Sequence, residues 1–357
     1  MSALAALASR IPGAVLDETS GLPLHVGNPM AEQRRLRAGA LVLLPRDVLR
    51  LSGPDALPWL DSISSQAIAA LADGASTESL VLSPEGRIEH ALRLRRDGDA
   101  LWVIVDAGSG DALEAWLTRM RFFKQVEIER PEAVVVGTAG EPAGPVAWRD
   151  GWPEVAPGGV RYGEATGEPW SWSESVLTPA EAEALEPERF VGTLAAEALR
   201  IAAGRPGLAE VDERSIPHEL DWLATAVHLQ KGCYRGQETI AKVHNLGAPP
   251  RRVVLLHLDG SQNAPVAAGD AVLAGDREVG AVTSAAIHDE LGPIALAVVK
   301  RSAPADGDLI VRSAEGIDVA AGQQVLVPPS AGHANRPPRL PRLGAVKRPT
   351  RPDAPPA

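Results

Sequence analysis

The chain has a single cysteine in 357 residues. That excludes a disulfide within the chain and any metal site built from several cysteines of one chain. It also fits a reducing compartment. No apolar run approaches the roughly 20 residues that a membrane-spanning helix needs. Neither a GxGxxG turn between strand and helix nor a GxxxxGK(S/T) loop is present, which argues against ordinary dinucleotide or nucleoside-triphosphate chemistry. Positive charge is short. The 35 Lys plus Arg stand against 46 Asp plus Glu, a net charge of -11, which speaks against a general nucleic-acid or anionic-membrane binder. The opening residues lack a basic stretch and a continuous apolar core, so residues 1–35 read as a loose N-terminal arm and not as a signal peptide. A cytoplasmic location is expected.

What is present is globular. Hydrophobic content is 45%, and the length calls for two or three domains. Residues 36–130 alternate short strands and helices, the pattern of an α+β layer. "ALVLLP" and "VLRLSG" predict strands. Ser52 as N-cap and Pro54 in the first turn predict a helix through "DALPWLDSIS". "SLVLSPEGRIEHALRLRRDGDALWVIVD" predicts three strands joined by Pro-Glu-Gly and Asp-Gly turns. Leu113, Trp116, Leu117 and Met120 fall at the spacing of one buried helical stripe. A second unit spans 131–248, with four tryptophans in a turn-rich middle and a helix in "GTLAAEALRIAAGRPG" that Gly204 and Pro206 stop. Residues 249–327 hold short apolar runs separated by Gly, Asp and Pro, which predict a small sandwich or barrel. Residues 328–357, rich in proline and arginine, predict a disordered tail.

The lone cysteine sits in "LQKGCYRGQETIAKVHN". Gly232 and Gly236 flank Cys233-Tyr234-Arg235 and imply tight turns or close approach of the backbone. Lys231 and Arg235 would stabilise a thiolate, while Gln237 and Glu238 offer an amide and a carboxylate. The alternative is a small buried hydrophobe, the usual state of a free cysteine. His218, His228 and His244, with Asp221, lie nearby in sequence. Their spacing matches no established zinc pattern, so no closed metal site is expected. Any of the three histidines could pair with the thiol.

The blocks "LRIAAGRP", "IPHE" and "KGCYRGQETIAKVHNLG", with "LSGPDALPWLDSISSQ" before them and "REVGAVTSAAIHDELGPIALAVVKR" after, resemble the YgfZ family. These are folate-binding proteins tied to iron–sulfur cluster maintenance and to tRNA modification, related to the glycine cleavage T-protein, an aminomethyltransferase. The resemblance runs from about residue 40 to 327. It implies two related α+β units of the aminomethyltransferase folate-binding type plus a C-terminal small β-barrel, set around a channel for tetrahydrofolate or a derivative. It places Cys233 on a loop at that channel. It implies folate and iron–sulfur client proteins as partners, with no direct nucleic acid and no membrane. Lys231 and Arg235 would support a thiolate or a folate glutamate tail. Tyr234 would supply ring packing and a hydroxyl, and Gln66, Glu89, His90 and Arg200 would face the folate channel.

Several positions depart from the aminomethyltransferase pattern. Glu89-His90 stands where consecutive acids are usual, and a histidine differs from an aspartate in charge and shape. Ala202 replaces the Glu that bonds the pterin ring, and Ala67 replaces an Asp. The expected function is therefore a folate-binding accessory protein for iron–sulfur clusters that acts through Cys233. An aminomethyltransferase-like one-carbon transferase or demethylase and a non-catalytic scaffold are the alternatives.

Overall fold

The computed structural model describes residues 3–164, 168–262, 264–332 and 334. The tail expected to be disordered from residue 328 begins later: Ala331 is buried in the core and the Ala334 amide donates to the His244 carbonyl at 3.0 Å, while the residues from 335 on lie outside the described residues. Alternating apolar positions between 76 and 106 fold as an antiparallel meander of Ser76–Leu82, Ile88–Asp97 and Ala100–Asp106. Its turns place Gly86 at φ 77° and Gly98 at φ 57°, a left-handed backbone that glycine adopts without strain. Arg46–Ser52 and Glu127–Glu129 extend the meander into a five-stranded sheet. Helices Ala56–Ile63 and Gly110–Met120 cover it. Leu113, Trp116 and Leu117 are buried there as predicted, with Met120 packed at the margin. Ser52 does not cap the first helix. It ends a strand, Gly53 turns at φ 110°, and the helix starts at Ala56 behind Asp55.

A second five-stranded sheet runs in the order Ala147–Arg149, Ser173–Leu177, Val134–Thr138, Leu41–Leu44, Phe190–Val191. Leu41–Leu44 lies within the sequence span of the first unit, yet it hydrogen-bonds in this sheet. Helices Pro29–Arg37 and Thr193–Ala202 pack on one face. Helices Ala3–Ala8 and Pro179–Glu183 pack on the other. The N-terminal residues thus do not form a loose arm. Leu7, Ala8, Ile11 and Leu22 are buried against the sheet. At about 1.5–3 kcal/mol for a large apolar side chain, that burial suffices to hold the segment down.

Six antiparallel strands, Arg251–Leu258, Ala271–Ala274, Arg277–His288, Gly292–Lys300, Leu309–Arg312 and Asp318–Val325, close into a barrel. Closure comes from pairing the first strand with the last, Val254 opposite Val325. A central core joins the three parts. Leu80 and Ile88 from the first sheet, Ile201 from helix Thr193–Ala202, Leu220, Trp222, Leu223, Ala226 and Val227, and Val253 and Leu296 from the barrel share it.

One residue, Pro45, separates the strand in the second sheet from the strand in the first. Arg46 sits at that crossing. Its guanidinium grips Glu174 of the second sheet with two bonds of 2.9 Å and Asp106 of the first at 2.6 Å. Arg93 adds contacts to Asp106 at 3.4 Å and Glu174 at 3.6 Å. Burial alone would raise the Asp106 carboxyl, but the Arg93 and Arg46 charges outweigh it and hold it at about 2.

Arg46→Met leaves Glu174 buried without its main partner and is expected to lower unfolding free energy by about 3 kcal/mol in urea titration. The pH dependence follows from the same carboxylate. An unfolded aspartate takes up its proton near 3.9, whereas Asp106 stays charged to about 2. Its contribution is therefore complete above about pH 4 and is lost as pH falls through the folded value. Melting temperatures between about pH 5 and about pH 2 should fall less steeply in Arg46→Met than in the parent.

Candidate functional site

Two sites emerge: the cysteine loop and a cavity where the two sheets meet. In the loop, Gly236 adopts φ 83° immediately before helix Gln237–Asn245. A Cβ there would lie 2.6 Å from the Ser83 carbonyl oxygen and 3.0 Å from the Gly86 Cα. The expected close approach is thus a glycine-on-glycine contact between the loop and the first sheet's hairpin. Gly232, by contrast, has open space around its Cα and no positive φ.

Lys231 does not sit free beside the thiol. Its Nζ donates to the backbone carbonyls of Asp61, Ser64 and Gln66, the last two at 3.0 and 2.7 Å, and stands 3.4 Å from the Asp61 carboxylate. These carbonyls lie in the last turn of helix Ala56–Ile63 and just after it, where a cation offsets the negative end of the helix dipole. Burial pulls the Lys231 pKa down, and Asp61 opposes it. Arg235 is also engaged, paired with both oxygens of Glu89 at 2.8 and 3.2 Å. Both expected thiolate supports therefore hold the loop in place. Tyr234 is 8% exposed and joins the central core, 5.6 Å from Lys231 Nζ, and its buried hydroxyl has no partner among the described residues. Burial pushes its phenol pKa up. Gln237 closes the loop by donating to the Lys231 carbonyl at 3.2 Å. Glu238 is exposed in the first turn of the helix.

Held between these anchors, Cys233 is exposed. It lies in an open depression of about 390 Å³, with Ser62 and Ile63 of one helix and Trp116 and Met120 of the other. His218 is buried and bonded to the Ile240 carbonyl at 3.1 Å, with burial drawing its pKa down to about 3. His244 bonds the Tyr162 hydroxyl at 2.8 Å, and the His228 Nδ1 accepts from the Gln230 amide. Burial lifts the Asp221 carboxyl to about 7 while Arg161 and two backbone amides oppose it. Among the described residues, no three His, Cys, Asp or Glu side chains come together as a metal-binding group.

The cavity, about 410 Å³, lies elsewhere. Trp148, Trp170 and Trp172 supply aromatic surface, the last two stacked at 5.3 Å between centroids. Its charged lining is balanced: Asp17, Asp150, Glu174 and Glu197 against Arg46, Arg93, Arg200 and Arg205. Arg200 grips Glu197 with two bonds of 2.6 and 2.9 Å, reaches Glu210 at 2.9 Å, and meets Ser284 of the barrel at 2.7 Å. Arg205 pairs with Asp150 at 2.9 Å and with Glu78.

Of the four residues expected at the folate channel, only Arg200 lines this cavity. Glu89 is held by Arg235, and His90 lies next to it on the strand, its pKa lowered by burial. Gln66 is buried, donates to the Thr225 carbonyl at 2.9 Å, and lines a separate depression with Ala67. Ala202 packs in the central core. The carboxylate absent there is present five residues earlier on the same helix, where Glu197 faces the cavity. The sequence carried signals for this lining. Trp170, Trp172 and Glu174 alternate in sequence on the approach to strand Ser173–Leu177, and Glu197 and Arg200 are three apart on a helix.

Comparison with known proteins agrees with the fold. Residues 251–327 match the glycine cleavage T-protein C-terminal barrel domain. The tRNA-modifying protein YgfZ of Edwardsiella ictaluri is 30% identical over 302 residues, 78% of this chain and 88% of that one. An uncharacterized protein of Haemophilus influenzae is 26% identical over 248 residues, 67% of this chain and 81% of its own. A putative chloroplastic transferase of Arabidopsis thaliana is 31% identical over 125 residues, 34% of this chain, so the match spans 27% of its length. The glycine cleavage system aminomethyltransferase T from Bartonella henselae superposes with a TM-score of 0.72 at 20% identity, covering 94% of this chain and 98% of that one. The chain thus has the expected aminomethyltransferase-type fold of mixed α and β units with a closed barrel.

Replacing Lys231 with Met removes the donor shared by three carbonyls and is expected to cost about 2 kcal/mol of stability. It should also loosen the loop, so that Cys233 reacts faster with a neutral aromatic disulfide. A stability change below about 0.5 kcal/mol with an unchanged thiol rate would contradict the clamp.

Proposed function

Because the chain belongs to the YgfZ family, we propose that it binds tetrahydrofolate or a derivative and acts as an accessory protein in iron–sulfur cluster assembly or repair, with Cys233 as its working thiol. One observation carries the reading. An aromatic, charge-balanced cavity of ligand size and an exposed, rigidly held thiol occupy different places.

The cavity residues suit a folate. Its volume of about 410 Å³ falls within the usual range for small-molecule sites. Tryptophan faces pack on a flat heterocycle. Glu197, only partly shielded, can accept from ring N–H groups, and the arginines can meet a carboxylate tail. Four acids against four arginines give no net positive field, so a bare polyanion is poorly matched. Bound folate would supply one-carbon carrying capacity. The chain's own residues would bind and orient it.

The exposed position of Cys233 favours a thiol that meets a partner at the surface. One-carbon transfer from an amine is less well supported, because Glu89 and His90 lie outside the cavity and Glu89 is paired with Arg235. Iron–sulfur proteins as clients, a tie to tRNA modification and a cytoplasmic location belong to the same reading. It accords with a set of described residues in which no helix is long and apolar enough to cross a membrane.

Titration with tetrahydrofolate should quench tryptophan fluorescence, and Glu197→Gln should weaken binding about tenfold, or about 1.4 kcal/mol. Cys233→Ala should leave that affinity unchanged yet fail to restore iron–sulfur enzyme activity in cells lacking the gene. Absence of binding at millimolar ligand would remove folate from the account and favour a scaffold. Full rescue by Cys233→Ala would remove the thiol.

A further inference from the structure

Helix Gly110–Met120 ends beside Cys233, and the turn after it has an unusual surface. Phe122 is 76% and Phe123 101% exposed. Phe122 holds φ 46°, a backbone that a bulky side chain rarely adopts. The turn is nonetheless firmly built. The Trp59 indole donates to the Met120 carbonyl at 3.0 Å, the Gln125 amide donates to Asp55 at 2.8 Å, and the Lys124 amide donates to the Arg121 carbonyl at 2.9 Å. The phenylalanines are therefore presented on a fixed frame, which lowers the ordering cost of a contact made there.

Charge surrounds them. Arg119 and Lys124 are exposed and make no ion pair with an acid among the described residues, and Arg121 donates only to the Val126 carbonyl. This local cationic spot stands on a chain of net charge -11. Next to the protruding pair lies the depression of about 390 Å³ that Trp116, Met120 and Ile63 form with Cys233. Adjacent aromatic, methionine and arginine side chains are the composition that protein interfaces favour.

We propose that this face docks a protein partner through an apolar anchor residue flanked by acidic side chains, and so brings that partner to Cys233. The anchor enters the depression, the phenylalanines enter a recess in the partner, and the acids meet Arg119 and Lys124. A knob beside a hole calls for a partner with matching relief, which a flat bilayer lacks. Two free cations on an acidic body are too few for a polyanion such as RNA. The proposal deepens the reading above by giving the partner's chemistry. It rests on that reading only for the use of the thiol.

The test uses the intact protein, whose lone cysteine makes thiol exchange specific. Two peptides carry one leucine and one cysteine in mixed disulfide with thionitrobenzoate, the first with Asp and Glu flanks, the second with Lys flanks. The Cys233 thiolate attacks the peptide sulfur, the old S–S bond breaks, and thionitrobenzoate leaves with the electron pair. At low salt the acidic peptide should react about tenfold faster, and the preference should vanish in the double variant Arg119→Glu, Lys124→Glu. It should drop in Phe122→Ser, Phe123→Ser, while the rate with neutral dithiodipyridine stays within about twofold, showing that the fold and thiol are intact. Equal rates for the two peptides, or a preference that survives both double variants, would overturn the docking face. So would binding to phosphatidylglycerol vesicles or single-stranded RNA that the charge variant abolishes, since either gives the face to a different partner. Loss of the preference with Cys233→Ala still failing in cells overturns docking alone. An intact preference with Cys233→Ala fully active in cells overturns the thiol reading alone.

Discussion

Arg46 joins the two sheets at the place where one strand leaves the second and becomes the first. The chain makes that passage through Pro45, with no loop to absorb a change of angle. The guanidinium fork reaches a carboxylate on each sheet, so their relative position is set by three charge-assisted bonds. Arg200 repeats the device between helix Thr193–Ala202 and the barrel, through Ser284 and Glu210. Arg205 repeats it between Glu78 of the first sheet and Asp150. Buried ion pairs add little net stability, but removing one partner is costly. Their effect here is geometric: the pairs fix the spacing of the cavity walls, and the lining is neutral because Arg46 and Arg93 of the first sheet face Glu174 of the second, while Arg200 and Arg205 are met by Glu197 and Asp150.

The thiol loop depends on the same frame at one remove. Lys231 ties it to the end of helix Ala56–Ile63, Gly236 packs on Gly86, Arg235 pairs with Glu89, and Tyr234 enters the central core. Residues that look like reagents in the sequence act as anchors in the structure. What remains free is the cysteine. The arrangement separates a ligand-sized cavity between the sheets from a thiol displayed on the helical face of the first sheet.

Local patterns were legible where local physics decides the outcome. The stripe of Leu113, Trp116 and Leu117, the hairpins at Gly86 and Gly98, and the short strands after residue 250 all follow from periodicity and turn chemistry. Periodicity alone left a sandwich or a barrel open, and the family resemblance supplied the barrel, whose closure pairs Val254 with Val325 across the whole domain. The crossing at Pro45, where two adjacent strands part into different sheets, was not legible. The blocks around "KGCYRGQE" identified the family. They could not show where the charges of Lys231 and Arg235 point, because their partners at Asp61, Ser64, Gln66 and Glu89 lie far away in sequence. The segment taken for a loose arm lacked strong periodicity but found a complementary apolar face.

The central claim is that the cavity between the sheets and the thiol are distinct sites. It is tested most directly by the rate at which Cys233 reacts with a neutral disulfide, with and without saturating tetrahydrofolate. The account predicts the same rate in both conditions, because Cys233 lies in a surface depression and not in the cavity lining. Protection of the thiol by folate, with a severalfold slower reaction, would contradict it and place the cysteine at the ligand.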